Sequence, residues 1–158
     1  LYLVASACHP KVLDKLQGRR VVLWHADIED KRQDEIIDAH PDKPGSLIGG
    51  GNTVGLRMLN IGYLLGFRTF HYYGLDSSIA DDGRDHAYTK HDGVEPESLT
   101  VVFRGKNYRC SPWMARQADE FKNLFSPMFA RRGCDIHVHG EGLIPDIARE
   151  FRSMARAA

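Results

Sequence analysis

Three consecutive glycines form the segment of this chain best suited to binding an anion. Gly49, Gly50 and Gly51 are followed by Asn52 and Thr53, and then by apolar residues at helical spacing. Glycines let the backbone adopt positive φ and approach a ligand closely. The free N–H groups and the dipole at the start of a helix both favour negative charge. The pattern predicts phosphate binding; the alternative is a tight loop that packs a helix closely on a sheet.

A second polar segment follows the predicted strand Thr69–Tyr73. Asp76 comes where that strand should end, and Ser77 follows it directly. A carboxylate at the carboxyl end of a parallel strand is well placed to hold Mg²⁺ or a ligand hydroxyl. Further along the same loop, Arg84 is suited to pairing with phosphate oxygens and His86 to acid–base work. The alternative is a solvated loop in which Asp76 caps a turn.

Histidines are the third group of residues whose side chains could bind a metal or a ligand. His137 and His139 are two residues apart in a predicted strand, so both imidazoles project to one face, as a metal pair would. A transition-metal site needs further ligands, and the short stretch of chain that follows supplies few. His9 precedes the predicted first helix and is expected at the ligand edge. His71 lies inside a predicted strand and is expected in the core or at an edge.

Alternating strands and helices predict how these residues are positioned. Strands are predicted over Tyr2–Ala5, 21–24, Thr69–Tyr73 and 134–138, with a hairpin over Leu99–Phe103 and 107–110. Helices are predicted from Pro10, after Thr53, from Pro112 and over 145–154. This order predicts an α/β fold, specifically a Rossmann-like three-layer sandwich with a mostly parallel sheet and an inserted β-hairpin. We expect a single domain over residues 1–158, and the first residue, Leu1, allows for a missing N-terminal segment.

Composition and charge exclude several classes of partner. The chain has 158 residues with 21 basic and 21 acidic side chains, so its formal net charge is zero, and no nucleic-acid partner is expected. Its apolar runs fall short of the ~18 residues that a membrane span needs, and its start lacks a signal-peptide pattern. Cys8, Cys110 and Cys134 are expected to be reduced, buried thiols of a cytoplasmic protein. The sequence leaves the oligomeric state open, including a homo-oligomer.

The polar segments together resemble a known family. The motifs are the glycine run of residues 49–55, the helix end Leu65-Gly66-Phe67, the strand end Tyr73-Gly74-Leu75-Asp76-Ser77, and the run Asp81-Asp82-Gly83-Arg84-Asp85-His86-Ala87. Across residues 47–88 they resemble the 6-hydroxymethylpterin diphosphokinase MptE-like family, which includes flagellar motility accessory factors and is fold-related to bacterial sialyltransferases. The resemblance implies a Rossmann-like fold and a nucleotide donor. For the pterin enzymes it implies Mg²⁺-assisted transfer of pyrophosphate from ATP, and for the other members glycosyl transfer from a CMP-sugar.

The residues and the resemblance together predict a nucleotide-dependent transferase, with transfer of pyrophosphate from ATP to a hydroxymethyl group as the leading function. The loop of residues 49–53, with Ser77 and His9, is expected to bind the nucleotide. Asp76 is expected to hold Mg²⁺ or a ribose hydroxyl. Arg84 is expected to neutralise developing charge and His86 to assist proton transfer.

Two alternatives remain open at this point. One is a glycosyltransferase that uses a CMP-sugar or another nucleotide sugar, with His86 or Tyr88 as its base. The other is a non-catalytic nucleotide-binding module that keeps the fold and the ligand loop. A small-molecule nucleotide is the expected partner in all three cases.

Overall fold

A computed structural model describes residues 1–28, 30–39, 41, 47–80 and 97–157 of the chain. The chain is a mixed α/β protein with small parallel sheets, and it divides into two compact units, Leu1–Gly50 and Gly51–Ala158. Each unit has its own strands and helices, and the single domain expected from the sequence stays a prediction.

The first unit is a three-stranded parallel sheet with two short helices. Its elements in chain order are β1 (Tyr2–Ala5), α1 (Pro10–Lys15), β2 (Val21–Ala26), α2 (Lys31–Asp38) and β3 (Leu47–Ile48). The strand order is β1-β2-β3, and both pairs are parallel. Each helix begins at a residue whose side chain accepts a hydrogen bond from the backbone two residues on: His9 for α1 and Asp30 for α2. Among the described residues of this unit, Val4 is the apolar side chain that is buried.

The second unit joins a parallel strand pair, a hairpin and three helices. Its elements are α3 (Val54–Leu64), β4 (Thr69–Tyr73), β5 (Leu99–Phe103), β6 (Lys106–Cys110), α4 (Pro112–Arg132), β7 (Asp135–His139) and α5 (Leu143–Ala157). β4 pairs in parallel with β7, and β5 pairs with β6 in an antiparallel hairpin. Of the helices in the described part of the chain, none is long and apolar enough to cross a membrane.

The core of the second unit lies between its helices and one face of the β4–β7 pair. The most deeply buried apolar side chains come from α3, β6, α4, β7 and α5, and they include Leu56, Leu59, Cys110, Phe121, Phe125, Ile136, Leu143 and Ile144. The rings of Phe121 and Phe125 are stacked with their centroids 3.6 Å apart. This cluster fixes α4 against the sheet, and α4 carries two of the polar side chains that form the candidate site.

Most of the predicted elements are confirmed. β1, β4 and β5 have the predicted bounds, and the predicted helices begin where expected after His9, Thr53 and Ser111. Ser111 caps α4 by accepting from the Met114 N–H, and proline follows it at the first helical position. The parallel pairing and the hairpin are also observed, although the parallel strands belong to two small sheets.

Several boundaries and one burial prediction are corrected. β2 runs on to Ala26, so His25 lies within the strand rather than after it. The hairpin turns at Arg104 and Gly105, one residue earlier than predicted, and both have the positive φ that such a two-residue turn needs. β7 lies one residue later than predicted, and α5 is longer at both ends. Cys110 and Cys134 are buried as expected, but Cys8 is exposed.

The stacked phenylalanines give a direct test of the core. We expect Phe121→Ala to lower the free energy of unfolding by about 3–5 kcal/mol, because a fully buried ring leaves a cavity. Trp113→Ala, on the same helix but 70% exposed, should change it by no more than about 0.5 kcal/mol. Denaturant unfolding followed by circular dichroism measures both. Equal losses of unfolding free energy in the two variants would show that the buried face of α4 is assigned wrongly.

Candidate functional site

The glycine-rich loop leads into α3 and already holds an anionic group of the protein. The Asn52 N–H donates to Oε2 of Glu120 over 2.8 Å. Gly51 has a φ of +91°, and a Cβ there would stand 3.0 Å from the same carboxylate oxygen and 2.7 Å from Leu56. Only glycine therefore allows the loop to approach α4 this closely. In this structure the Asn52 N–H is therefore occupied by the Glu120 carboxylate, and phosphate binding at the loop stays a prediction.

One polar side chain of α4, Gln117, connects this loop to the end of β4. Gln117 Nε2 donates to the Thr53 hydroxyl over 2.9 Å, and the Ser77 hydroxyl donates to Gln117 Oε1 over 2.7 Å. Thr53 also caps α3 by accepting from the Leu56 N–H. Ser77 is buried and has a φ of +49°, a conformation that costs of order 1–3 kcal/mol in a residue other than glycine. The predicted residues Thr53 and Ser77 are thus brought together through Gln117.

Asp76 lies at the carboxyl ends of two neighbouring parallel strands. It follows β4, and the turn of residues 140–142 follows β7 beside it. A Cβ on Gly140 would stand 2.7 Å from Asp76 Oδ1, and one on Gly142 would stand 2.7 Å from the Asp76 carbonyl oxygen. That carbonyl also accepts from the Ile144 N–H in the first turn of α5. The two glycines therefore let the chain close tightly around Asp76, where ligands bind in parallel α/β sheets.

The Asp76 carboxyl group is electrostatically unusual. Burial raises its pKa above the ordinary value of 3.8. Its Oδ1 atom is inaccessible to water and has no hydrogen-bond partner among the described residues. The Tyr72 hydroxyl shares this condition, and burial raises its pKa to about 12, but Tyr72 faces Phe125 in the core. Of these two groups, the Asp76 carboxyl is the one at the edge of the sheet. An acceptor there that no described residue binds can accept a hydrogen bond from a ligand.

Whether Asp76 fits Mg²⁺ depends on what else can supply oxygen ligands. Among the residues that the structure describes, no group of three or more His, Cys, Asp or Glu side chains is arranged to hold a metal. Mg²⁺ sites in nucleotide enzymes typically use one or two carboxylates together with phosphate oxygens and water. One carboxylate with an oxygen left unpaired by the described residues suits that arrangement, in which the nucleotide provides the other ligands.

The remaining predicted site residues are not part of this arrangement as described. His9 caps α1 in the first unit, where its Nδ1 accepts from the Lys11 N–H over 3.2 Å. Gly49 and Gly50 belong to the first unit as well, and Gly50 has a φ of +115°. Arg84 and His86, like the alternative base Tyr88, lie outside the described residues.

The predicted His-x-His pair lies on the face of the β4–β7 sheet opposite the core. The odd-numbered residues of the two strands share this face, namely Thr69, His71, Tyr73, Asp135, His137 and His139. His71 is exposed there, so of the two expected positions, core or edge, the structure shows the edge, on a strand that pairs with β7 in a two-stranded sheet. Sequence reasoning treated it separately from the His-x-His pair because the parallel register that brings them together is a long-range feature.

Sequence reasoning missed Gln117 and Glu120. Gln117 lies four and eight residues before Phe121 and Phe125, so it occupies a polar position in the apolar stripe of α4. A polar residue in such a stripe needs a hydrogen-bond partner, and this is the signal that could have identified it. Glu120 gives no comparable signal, because it also forms an ordinary helical ion pair with Arg116 at 3.0 Å.

Comparison with known proteins adds no relative. A scan against protein-family models, a search of curated proteins and a search of solved structures each returned no match to the chain. The geometry around Asp76, the turn of residues 140–142 and the loop before α3 is therefore the basis of the functional proposal.

The raised pKa of Asp76 predicts a pH-dependent stability. Below 3.8 the carboxyl group is protonated in the folded and unfolded states alike, whereas between 3.8 and the raised pKa the folded state binds more protons. The stabilisation by the neutral form is therefore lost as the pH rises through the folded pKa. We expect Asp76→Asn to be more stable than wild type at neutral pH and to match it below 3.8.

Denaturant unfolding across this pH range measures the difference. The control is Asp119→Asn, which removes an exposed carboxylate of α4 that is bonded to Asn123. The effect of Asp119→Asn on the free energy of unfolding should not change with pH in the way expected for Asp76→Asn. A loss of stability in Asp76→Asn at neutral pH would mean that the Asp76 carboxylate has a favourable partner, which contradicts a desolvated group that no described residue binds through Oδ1.

Proposed function

We propose that this chain is a nucleotide-dependent transferase domain whose donor binds at the carboxyl ends of β4 and β7. The observation that carries the proposal is Asp76, a desolvated carboxylate whose Oδ1 atom has no hydrogen-bond partner among the described residues and which a glycine turn encloses at the edge of a parallel strand pair. Keeping such a group costs stability, which natural proteins accept mainly at functional sites. The proposal includes a Rossmann-like three-layer arrangement, which the parallel pairing within each unit supports.

The charges around this edge favour a donor that carries Mg²⁺. Asp76 and Glu120 are both acidic, and the cation paired with Glu120 is Arg116, which is already engaged. A free phosphate would meet repulsion from the Asp76 carboxylate, whereas the charge of Glu120 is offset by its pairing with Arg116. A Mg²⁺-nucleotide complex would instead present a cation that Asp76 can share with the phosphate oxygens. This favours ATP-dependent transfer of pyrophosphate to a hydroxymethyl group over metal-free reactions.

The residues of the chain have distinct roles in this proposal. Asp76 holds the cation or accepts from a ribose hydroxyl. The backbone at Asn52 and the cap at Thr53 receive a phosphate group, which takes the place of the Glu120 carboxylate at the N–H of Asn52. Most of the rate enhancement in phosphoryl transfer comes from such positioning and charge stabilisation. Arg84 and His86 keep the roles expected from their side-chain chemistry, which are neutralising developing charge and assisting proton transfer.

A second candidate is a glycosyltransferase that uses a CMP-sugar or another nucleotide sugar. The observation that favours it is the same Asp76 oxygen, which has no partner in the part of the chain that the structure describes, because a carboxylate accepts readily from a sugar or ribose hydroxyl without any metal. The polar groups of Thr53, Ser77 and Gln117 are neutral and likewise suit a hydroxyl-rich ligand. The two candidates differ in their requirement for Mg²⁺ and in the base of the nucleotide.

Thermal stability against ATP, GTP, CTP, CMP and pyrophosphate, each with and without Mg²⁺, tests the proposal. A ligand present at about 100 times its dissociation constant adds about 2.7 kcal/mol to the stability of the native state. We expect a Mg²⁺-dependent rise of Tm with ATP that Asp76→Asn abolishes and Asp119→Asn leaves unchanged. A rise with CMP that needs no metal would favour the glycosyltransferase.

The Glu120→Gln variant tests whether the phosphate of the nucleotide binds at the loop before α3 or elsewhere on the chain. It removes the charge that competes for the Asn52 N–H but keeps a side chain of the same shape. Binding of Mg²⁺-ATP should therefore become tighter, by up to about tenfold for a gain of about 1.4 kcal/mol. Binding without turnover would leave the non-catalytic module as the function. The absence of any shift with all five ligands would contradict nucleotide binding by this chain.

A further inference from the structure

A cleft of about 330 Å³ lies between the hairpin and α5, and it uses no side chain of the proposed transferase site. This volume is at the lower end of the range in which proteins bind small organic molecules. The hairpin contributes the face on which Phe103 is paired with Lys106, and α5 contributes residues spaced three or four positions apart. The side chains that line the cleft are those of Phe103, Arg104, Lys106, Tyr108, Asp146, Arg149, Glu150 and Ser153.

Asp146 is the carboxylate of the cleft that the protein itself has already paired. It accepts from the Tyr108 hydroxyl, from Nη2 of Arg149 and from Nζ of Lys106, the last over 3.2 Å. Burial alone would raise the pKa of Asp146, but these hydrogen bonds lower it below the ordinary value of 3.8, so the group is ionised at neutral pH. Arg149 also donates to the Gly140 carbonyl over 3.4 Å. These bonds hold Tyr108 and Arg149 in place as one wall of the cleft.

Arg104 is held less completely than Arg149. Its Nη1 atom lies 3.6 Å from Oε1 of Glu150, and 67% of its side chain is exposed. The other edge of the guanidinium, formed by Nε and Nη2, has no partner among the described residues. This edge is one of the two-donor edges with which arginine binds both oxygens of a carboxylate. The ion pair with Glu150 therefore orients Arg104 and leaves that edge for a ligand.

The backbone conformation of Arg104 is unusual for its residue type. Arg104 has a φ of +50°, and Gly105, which follows it in the turn, has a φ of +78°. Two-residue hairpin turns with positive φ at both positions favour asparagine, aspartate or glycine before the final glycine. An arginine at this position therefore lowers the stability of the turn, and such strain clusters at functional sites.

Lys106 supplies a second cation that a ligand can reach. Its side chain is 61% exposed, and Asp146 uses one of its three N–H donors. The lining of the cleft contains three cationic and two anionic side chains, which leaves an excess of one positive charge. A ligand with a single carboxylate balances this excess, whereas a dianion exceeds it. Phe103 is half-buried and offers apolar surface beside these cations.

We propose that this cleft binds a small monocarboxylate, with the carboxylate group on Arg104 and Lys106 and an apolar body against Phe103. The Nε–Nη2 edge of Arg104 binds the two carboxylate oxygens, and the Lys106 ammonium adds a point charge. Glu150 stays in contact with Nη1 of Arg104, and the other side chains of the cleft keep their present bonds. The ligand therefore enters a preformed cleft, which lowers the entropic cost of binding.

The test uses the whole chain and benzoate as the probe, in a buffer without carboxylates. We expect the amide resonances of Arg104, Gly105 and Lys106 to shift together in a nuclear magnetic resonance titration and to saturate with one affinity. Benzamide has the same ring without the charge, and it should bind about tenfold more weakly or worse. Equal affinities for benzoate and benzamide would overturn the proposal.

The most informative variant is Arg104→Asn, because asparagine before glycine suits this turn. The variant should unfold at the same or a higher denaturant concentration than wild type, while its affinity for benzoate falls by about tenfold or more. Lys106→Gln should lower the affinity by about threefold or more. The matched control is Arg109→Gln, which removes an exposed cation from the opposite face of the hairpin and should change the affinity less than about twofold.

Three results would overturn the carboxylate site. One is an unchanged affinity for benzoate in Arg104→Asn. Another is a loss in Arg109→Gln as large as that in Arg104→Asn, because benzoate would then respond to the net charge of the chain alone. The third is the absence of saturation at about 20 mM benzoate, which is about twenty times a dissociation constant of about 1 mM.

Discussion

The parallel register that joins β4 to β7 determines where the chemically interesting side chains of the second unit lie. Thr69 is aligned with Asp135, and each later pair follows from that alignment. Because side chains alternate between the two faces of a strand, one face carries apolar residues into the core and the other carries the histidines. The same alignment makes both strands end together, which brings Asp76 beside the turn of residues 140–142. A slip of one residue would reverse the faces and separate Asp76 from its enclosing turn.

Two features at the shared end of β4 and β7 lower the stability of the fold. Asp76 is a desolvated carboxyl group with an oxygen that no described residue binds, and Ser77 adopts a backbone conformation that is strained for a residue with a side chain. The surrounding contacts hold both in place: Gln117 binds the Ser77 hydroxyl, and the Cys110 thiol donates to the Ser77 carbonyl over 3.2 Å. The buried cluster around Phe121 and Phe125 in turn fixes the helix that carries Gln117. Packing in the core thus maintains a polar edge that would be unfavourable on its own.

For the glycine-rich loop, the sequence predicts a backbone geometry that suits an anion, but it does not predict which group is bound there. Helix dipole, free N–H groups and glycine flexibility are local properties, so the sequence could predict that the start of α3 attracts an anion. The Glu120 carboxylate is 68 residues away from Asn52 in the chain, and only the packing of α4 brings them together. An internal carboxylate at this position is compatible with ligand binding, because a phosphate with higher charge can compete with it.

Local signals account for what the sequence could predict of the fold. The bounds of β4 follow from a short run of β-formers between a helix-ending glycine and Gly74, and the start of α4 follows from a Ser-Pro cap. The extension of β2 over His25 could not be predicted, because it depends on pairing with Leu47, which lies 22 positions further along the chain. The stacking of His71 with His137 and His139 is hidden for the same reason. Asp76 could be located at a strand end, but its burial depends on Gly140 and Gly142 of a distant turn.

The most direct test of a ligand site at this edge is a nuclear magnetic resonance titration of the labelled chain with Mg²⁺-ATP and, separately, with CMP. If a nucleotide binds at the carboxyl ends of β4 and β7, the amide resonances of Asn52, Ser77 and Glu141 should shift together and saturate with one affinity. The Asn52 resonance should move most, because its N–H exchanges the Glu120 carboxylate for a phosphate. The amide of Gly105 in the hairpin turn should stay unchanged. Saturating shifts that leave Asn52, Ser77 and Glu141 unaffected would contradict a nucleotide site at these strand ends.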